Sequence, residues 1–308
     1  MKNEAASPAL IKHHMKQTKV DQVFDVVVFI LVALLTLCIA YPLYFVVIAS
    51  ISNPNLVASG QVITYPKDIS FEGYQYILKD NRIWTGYRNT LFYTFAGTVL
   101  ALLITIPAGY ALSRRDFLGR GFIMKIMVFT MYFGGGLIPS YLIIKGIGLT
   151  DNVITLVVLG SFSAYNLIIT RTFFQSTIPI ELQEAAEIDG CGVFRFFISI
   201  VLPLSKAVIA IMTLYYAVGH WNDFFNGLIY VNNQELVPLQ LILRDILISG
   251  QAIQAANITD PDTILNMQRI ARTIQYGVII VSSLPLLIIY PFVQKYFVKG
   301  VMIGSIKG

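Results

Sequence analysis

The chain has 308 residues, 56% hydrophobic and only 13% charged, with a formal net charge of +5. A soluble domain carries about 25% charged residues, so this balance excludes an ordinary water-soluble enzyme and places the chain among integral membrane proteins. The basic residues sit beside apolar runs, where membrane topology requires them, and do not indicate nucleic acid.

In chain order, a polar N-terminal segment, 1–23, holds Lys2, Lys12, Lys16 and Lys19 and precedes an apolar run over 24–49. That run is too long for the apolar core of a signal peptide and lacks a good small-residue cleavage site, so it reads as a retained membrane helix. A loop, 50–88, follows. Apolar stretches at 89–112, 121–144, 150–173, 204–231 and 274–298 bring the predicted spans to six. Each is near the ~20 residues that a helix needs to cross a bilayer. The fold class is therefore all-α integral membrane. Loops 174–203 and 232–273 separate the later spans, and 299–308 forms a tail. Pro42, Pro107, Gly134-Gly135-Gly136 with Pro139, and Pro285 with Pro291 interrupt the spans. In lipid such breakers persist where neighbours or water satisfy the freed carbonyls. With the N-terminus cytoplasmic, fourteen of the 22 Lys and Arg fall on inside segments, and most of the others lie in long outer loops. Long loops weigh little in the positive-inside rule, so both termini and loop 174–203 are predicted to be cytoplasmic.

Cys38 and Cys191 fall in different environments, and His13, His14 and His220 show no ligand spacing, so no disulfide and no metal site is expected. The stretch "ELQEAAEIDG" over 181–190 is the unusual feature. Pro179 suits a first helical turn, Glu181 favours the helix dipole there, and Gly190 suits the end. The pattern predicts a short helix over 179–189. At 100° per residue Leu182, Ala185, Ala186 and Asp189 share one face, with Gln183, Glu184 and Glu187 on the other. The alanines keep the first face low enough for close backbone approach, and the acids at its edges suit basic groups. The helix is too polar to span and too short to stand alone, so it packs either on its own bundle or on a separate cytoplasmic protein.

Glu184-Ala185-Ala186, then Gly190, Ile200 and Leu202-Pro203, follow the spacing E-A-A-x3-G-x9-I-x-L-P. This resembles the EAA signature of ABC-importer permeases. The segments "PAGYALSRRDFLGRG", "MYFGGGLIPSYLII", "HWNDFFNGLIYV" and "QKYFVKGVMIGSIKG" resemble the carbohydrate-uptake branch, and in particular the maltose-type second permease, nearest to permeases for oligosaccharides of complex polysaccharides. The similarity runs from about residue 20 to the end; Cys191 departs from the alanine frequent there. The resemblance implies a type I ABC importer permease fold in a bacterial cytoplasmic membrane. It implies that the EAA helix is a coupling helix, with Leu182, Glu184, Ala185, Ala186, Asp189 and Gly190 meeting a cytoplasmic ATPase. It implies further partners: a second homologous permease, two copies of the ATPase and an extracytoplasmic solute-binding protein. The chain carries no G-x-x-x-x-G-K-[ST] loop, so no cofactor is expected on it, and ATP and Mg are expected on the partner ATPase.

His220, Trp221, Asn222 and Asp223 lie within the fifth predicted span, where an ionisable residue is a functional candidate. Three readings compete. Trp221 could stack on a sugar while Asn222 or Asp223 binds hydroxyls; the group could line a path without specific contact; or it could anchor and pack the helix. Asp223 lies about 26 Å beyond Lys206 at helical rise, near the outer interface where Trp often anchors. The resemblance favours the path, but in the maltose-type system the other permease holds most of the sugar.

In loop 232–273, Leu239, Leu241, Ile242, Ile246 and Leu247 are periodic enough to pack on the bundle. The part from Gly250 to Asp262 reads as an irregular polar tip. Its Gln251, Gln254 and Asn257 suit sugar hydroxyls, and the resemblance implies that such a tip enters the binding protein's cleft; the plain alternative is a connecting loop. Two other functions compete with a sugar permease. One is an EAA-type permease for a peptide, phosphonate or other solute. The other is an intramembrane enzyme, for which Ser161, Ser163 and His220 exist but no G-x-S-x-G does.

Overall fold

The computed structural model describes residues 18–255 and 274–291, and every regular element among them is a helix. Helix α1 (Lys19–Ser50) opens with a capping box. The Asp21 N–H donates to Thr18 Oγ1 at 3.3 Å, and the Asp21 carboxylate accepts from the Thr18 N–H at 2.9 Å. This box satisfies backbone donors that a helix start leaves without partners. At 1.5 Å per residue α1 is roughly 48 Å long, more than the ~30 Å hydrocarbon core. Only Ile48, Ala49 and Ser50 of it are buried. An apolar helix left so bare faces lipid or another chain.

Short helices α2 (Pro54–Ala58) and α3 (Glu72–Lys79) lead into α4 (Asn81–Ser113), which begins eight residues before the predicted span. Its N-cap is Asp80, whose carboxylate accepts the Arg82 N–H at 2.9 Å. α4 is the central helix, packed against the helices here named α7 (Val153–Val158), α8 (Ala164–Thr177), α12 (Lys206–Trp221) and α14 (Leu239–Ala255). Two of its glycines explain how close these crossings are. A Cβ on Gly97 would lie 2.4 Å from the His220 ring, and one on Gly109 would lie 2.6 Å from Thr170 Cγ2. Small residues at membrane helix crossings allow such contact, and dispersion replaces the hydrophobic drive that lipid does not supply.

Among the described residues three helices are long and apolar enough to cross a membrane: α1, α4 and α15 (Ile274–Pro291). The count rises to five when each of two bent pairs is taken as one span. The segment 121–144, read as one span, is two helices, α5 (Arg120–Tyr132) and α6 (Leu137–Gly146), bent by 112°. The bend falls at Gly134-Gly135-Gly136, where Gly136 takes φ +82°. Segment 150–173 also divides, into α7 and α8, where Gly160 adopts φ +87° and Ser163 caps α8. Segment 204–231 divides at Asn222 into α12 and α13 (Phe224–Tyr230). Ahead of it α10 (Val193–Phe196), a π-helical turn (Phe197–Val201) and α11 (Leu202–Leu204) run at 80° to α12. The last predicted span is described as far as Pro291.

Two cores stack along α4. One, at its N-terminal end, gathers Ile83, Tyr93, Trp221, Leu239, Ile242 and Val278. The other, at its C-terminal end, gathers Ile106, Tyr110, Phe174, Phe196, Val201 and Met212. The loops that matter attach to these two ends.

Candidate functional site

The acidic stretch forms α9 (Ile180–Ile188), two residues shorter than predicted. Pro179 stands just outside it as the N-cap, with ψ 145°. Gly190 ends it at φ +73°. The Gly190 N–H donates to Glu187 O at 3.0 Å and the Cys191 N–H to Ala186 O at 2.8 Å. This bond pair is a Schellman motif, and the left-handed residue it needs is most cheaply glycine.

Packing divides the face on which Leu182, Ala185, Ala186 and Asp189 were grouped. Ala186 is buried and Leu182 half-buried, both against the Phe174–Phe196 core. Ala185 and Asp189 are exposed. Leu182 and Ala186 lie one turn apart and define the inward line, while Ala185 falls on the adjacent, outward line. The stripe left outward is Glu181, Glu184, Ala185 and Ile188, whose i, i+3, i+4, i+7 spacing makes one exposed helix face. Ile188 is 87% exposed. The composition of the stretch drew attention to its acids and hid this residue, though the spacing from Glu181 would have found it.

The turn after α4 faces α9. Arg114, only 12% exposed, pairs with Asp116 through Nη2 at 2.5 Å and Nε at 2.9 Å, and its Nη2 also lies 3.8 Å from Glu187 Oε1. The bidentate contact with Arg114 holds the Asp116 carboxyl below its ordinary value. Between this turn and the start of α9 is a cavity of about 530 Å³, lined by Tyr110, Arg114, Arg115, Arg120, Phe174 and residues 178–181 among others.

At the other end of α12 the candidate path residues part company. Trp221 is 2% exposed; its Nε1 donates to Ser282 O at 3.0 Å, and its ring lies 6.2 Å from that of Tyr87. Its indole is committed to packing within the chain. Asn222 is exposed and donates to Val218 O at 3.0 Å. Asp223 caps α13, accepting from the Asn226 N–H at 3.1 Å and from its side-chain amide at 2.8 Å. The three do not share one open face. His220 is buried in a slot between Gly97 and Gly160.

A second polar cluster was not foreseen. From α4, Asn89 Nδ2 donates to Glu235 O at 2.7 Å and Val237 O at 3.1 Å, and Tyr93 OH to Leu236 O at 2.9 Å. Thr90 Oγ1 accepts the Leu239 N–H at 2.8 Å. These side chains fix the start of α14. Three polar residues within five positions of an otherwise apolar span are the signal that could have revealed them. Leu239, Leu241 and Ile242 pack into the adjoining core as their periodicity predicts. The backbone of α14 continues to Ala255, so the first six residues of the predicted irregular tip are helical. The side chains of Gln251 and Gln254, and Asn257 altogether, lie outside the described residues.

No family model matches the chain. Individual proteins do. It is 36% identical over 296 residues to "Protein LplC" of Bacillus subtilis (strain 168), covering 96% of this chain and 99% of that protein. It is also 36% identical to the "Polygalacturonan/rhamnogalacturonan transport system permease protein YtcP" of the same organism, over 94% of this chain and 99% of that one. Among solved structures it matches a chain of a bacterial ABC transporter involved in the import of the acidic polysaccharide alginate. That match has a TM-score of 0.80 and 33% identity, covering 91% of this chain and 99% of the other. The chain belongs to the sugar and polysaccharide ABC-transporter permeases and is a transport subunit rather than an enzyme.

Proposed function

We propose that this permease forms half of the translocation path of an ATP-driven, binding-protein-dependent importer of oligosaccharides derived from complex polysaccharides. It pairs with a second, similarly folded permease and two copies of a cytoplasmic ATPase, which bind the ATP and Mg, and it receives cargo from an extracytoplasmic binding protein. The chain makes six passes, with α7 and α8 together as one of them, and both termini face the cytoplasm. The substrate class rests on the relatives, whose names specify polygalacturonan/rhamnogalacturonan and alginate.

The observation that carries the coupling role is the outward stripe of α9. Glu181, Glu184 and Ile188 are exposed on a short helix whose other side is fastened to the bundle by Leu182 and Ala186. Such a helix can take a push from outside and pass it to the Phe174–Phe196 core without unfolding. Asp189 and Gly190 end it in a fixed geometry, which sets its length against the partner.

The test is the Glu184→Lys variant, assembled with its second permease, ATPase and binding protein in proteoliposomes. Glu184 is exposed, so the variant should insert and melt as the parent does. ATPase recovery should drop several-fold, and hydrolysis stimulated by oligosaccharide-loaded binding protein should drop with it. Full recovery with unchanged stimulation would remove α9 from the coupling role. Stimulation by a peptide-loaded binding protein in place of a sugar-loaded one would replace the cargo.

A further inference from the structure

We propose that the cavity between the α4–α5 turn and α9 holds the phosphate headgroup of an anionic phospholipid of the inner leaflet. The proposal rests on the cytoplasmic placement of α9 made above.

The first observation is the cavity itself, about 530 Å³, with Arg114, Arg115 and Arg120 in its wall. Arg114 is neutralised by Asp116. Among the described residues neither Arg115 nor Arg120 has an ion-pair partner. Arg120 is nevertheless held in place, since its Nη1 donates to Arg114 O at 2.8 Å. Glu181 also lines the cavity, and the charge of Arg120 acts on Asp116. The lining itself carries three guanidiniums against one carboxylate, with Asp116 and Glu187 reaching Arg114 from outside it, and the guanidinium fork suits phosphate oxygens.

The second observation is what stands between the arginines. Phe117 is 40% exposed and Leu118 is 93% exposed, on the turn that joins a membrane span to α5. A bilayer surface accounts for both kinds of side chain at once, because apolar tips enter the acyl region while neighbouring guanidiniums stay at phosphate level. The third observation is α5, which buries none of its residues and exposes Phe122 (70%) and Phe129 (57%). It gives an apolar wall leading away from the cavity along which acyl chains can lie. Basic cavities beside membrane helices on the cytoplasmic side have the chemistry that anionic headgroups require. Residues 178–181 line the same cavity, so an occupied site would brace the start of the coupling helix.

The experiment is native mass spectrometry of the intact transporter titrated with phosphatidylglycerol, with phosphatidylcholine and with inorganic phosphate. The variants are Arg115→Ala, Arg115→Ala with Arg120→Ala, and Leu118→Asn. Phosphatidylglycerol retention should fall about tenfold in the double variant, and less in each single one, while phosphatidylcholine retention stays as in the parent. Because the double change also removes the bond to Arg114 O, the Arg115→Ala and Leu118→Asn variants keep the test sound if the double variant misfolds. Equal phosphatidylglycerol retention in all variants overturns the proposal. Phosphate binding that is lost with the arginines, together with phosphatidylglycerol retention no greater than that of phosphatidylcholine in the parent, moves the site to a soluble anion and also overturns it. Loss of ATPase recovery in Arg115→Ala, with lipid retention unchanged, assigns the cavity to the ATPase instead. The Glu184→Lys complex serves as the control: loss of ATPase with lipid retained in it supports the lipid site whatever becomes of the α9 assignment.

Discussion

The segments around α9 and at the start of α14 both leave the bundle between spans, yet they are fastened by different chemistry. α9 is held on one line by Leu182 and Ala186, and its charged groups point outward. Its ionic link to the rest of the chain, Glu187 to Arg114, is long at 3.8 Å and exposed at the Glu187 end, a pairing worth little. The start of α14 is fixed by three side chains of α4 that reach its backbone, and Leu239 there is fully buried. The comparison teaches what each segment is built for. α9 keeps its charged groups outside, as the proposed coupling role requires. An element that must keep its register satisfies backbone groups from within, where an unmade bond is expensive.

The largest effect should come from breaking that internal fastening. Asn89→Leu removes both amide donors and leaves Glu235 O and Val237 O without them. A loss of about 2 kcal/mol or more is expected, read as a lowered melting midpoint of the purified transporter together with new protease cleavage near residue 236. An unchanged midpoint would mean that water replaces the amide and that the start of α14 is not held as described. The next effects pair two glycines. A Cβ on Gly86 would lie 3.0 Å from Leu239 Cα and 2.6 Å from Ile242 Cδ1, so Gly86→Ala pushes on α14 backbone and should cost about 1–3 kcal/mol. Gly190 has open space around it and only its φ of +73° at stake, so Gly190→Ala should cost about 1 kcal/mol. The two midpoints, measured side by side, should fall in that order; the reverse order would contradict the packing difference between the segments.

The same contrast sets what could be read from the sequence. Gly190 as a helix end was legible because a left-handed turn is a local demand on one residue. The inward set Leu239, Leu241 and Ile242 was legible from period alone. The division of Ala185 from Ala186 was not, because the two are neighbours around the helix and only packing against Phe174 and Phe196, outside the helix, decides which is covered. The three readings of Trp221 could not be separated for a related reason, since the partner that commits its indole to packing is Ser282 O, 61 residues onward. The 112° bend within 121–144 was half visible: the glycine run marks a weak point, but neither sharpness nor direction follows from it. The breaks at Gly160 and Asn222 stand beside polar residues, Ser161 and Ser163 at one and His220 and Asp223 at the other, but the apolar runs beyond them are long enough together to read as single spans.

On the exposed side of the comparison, stability and function should separate. Ile188→Ser changes a side chain that is 87% exposed, so the midpoint should stay within about 0.5 kcal/mol of the parent. Under the proposed coupling role ATPase recovery should nevertheless fall, because the one large apolar residue of the outward stripe loses its buried contact with the partner. A midpoint loss as large as that of Asn89→Leu would show that Ile188 packs on its own chain and that α9 is as fixed as α14.

The smallest effect concerns Asp151, which ties the turn between α6 and α7 to the residues after α13. Its N–H donates to Tyr230 O at 2.9 Å, and its carboxylate accepts the backbone N–H groups of Asn232 and of Asn233, the latter at 2.8 Å. These bonds favour the charged form and lower its pKa from the ordinary 3.8. A carboxylate with a depressed folded-state pKa adds stability above the unfolded value and loses it as pH falls through the folded one. Asp151→Asn keeps an acceptor oxygen and tolerates the φ of +54° found there, so it removes the charge with little strain. The parent should therefore melt slightly above the variant at pH 7 and at pH 5, and the gap should close as the pH is taken below 3.8. A gap of constant size down to pH 3 would mean that the acceptor geometry, not the charge, joins these turns, and the two ends of the molecule would then differ in packing alone.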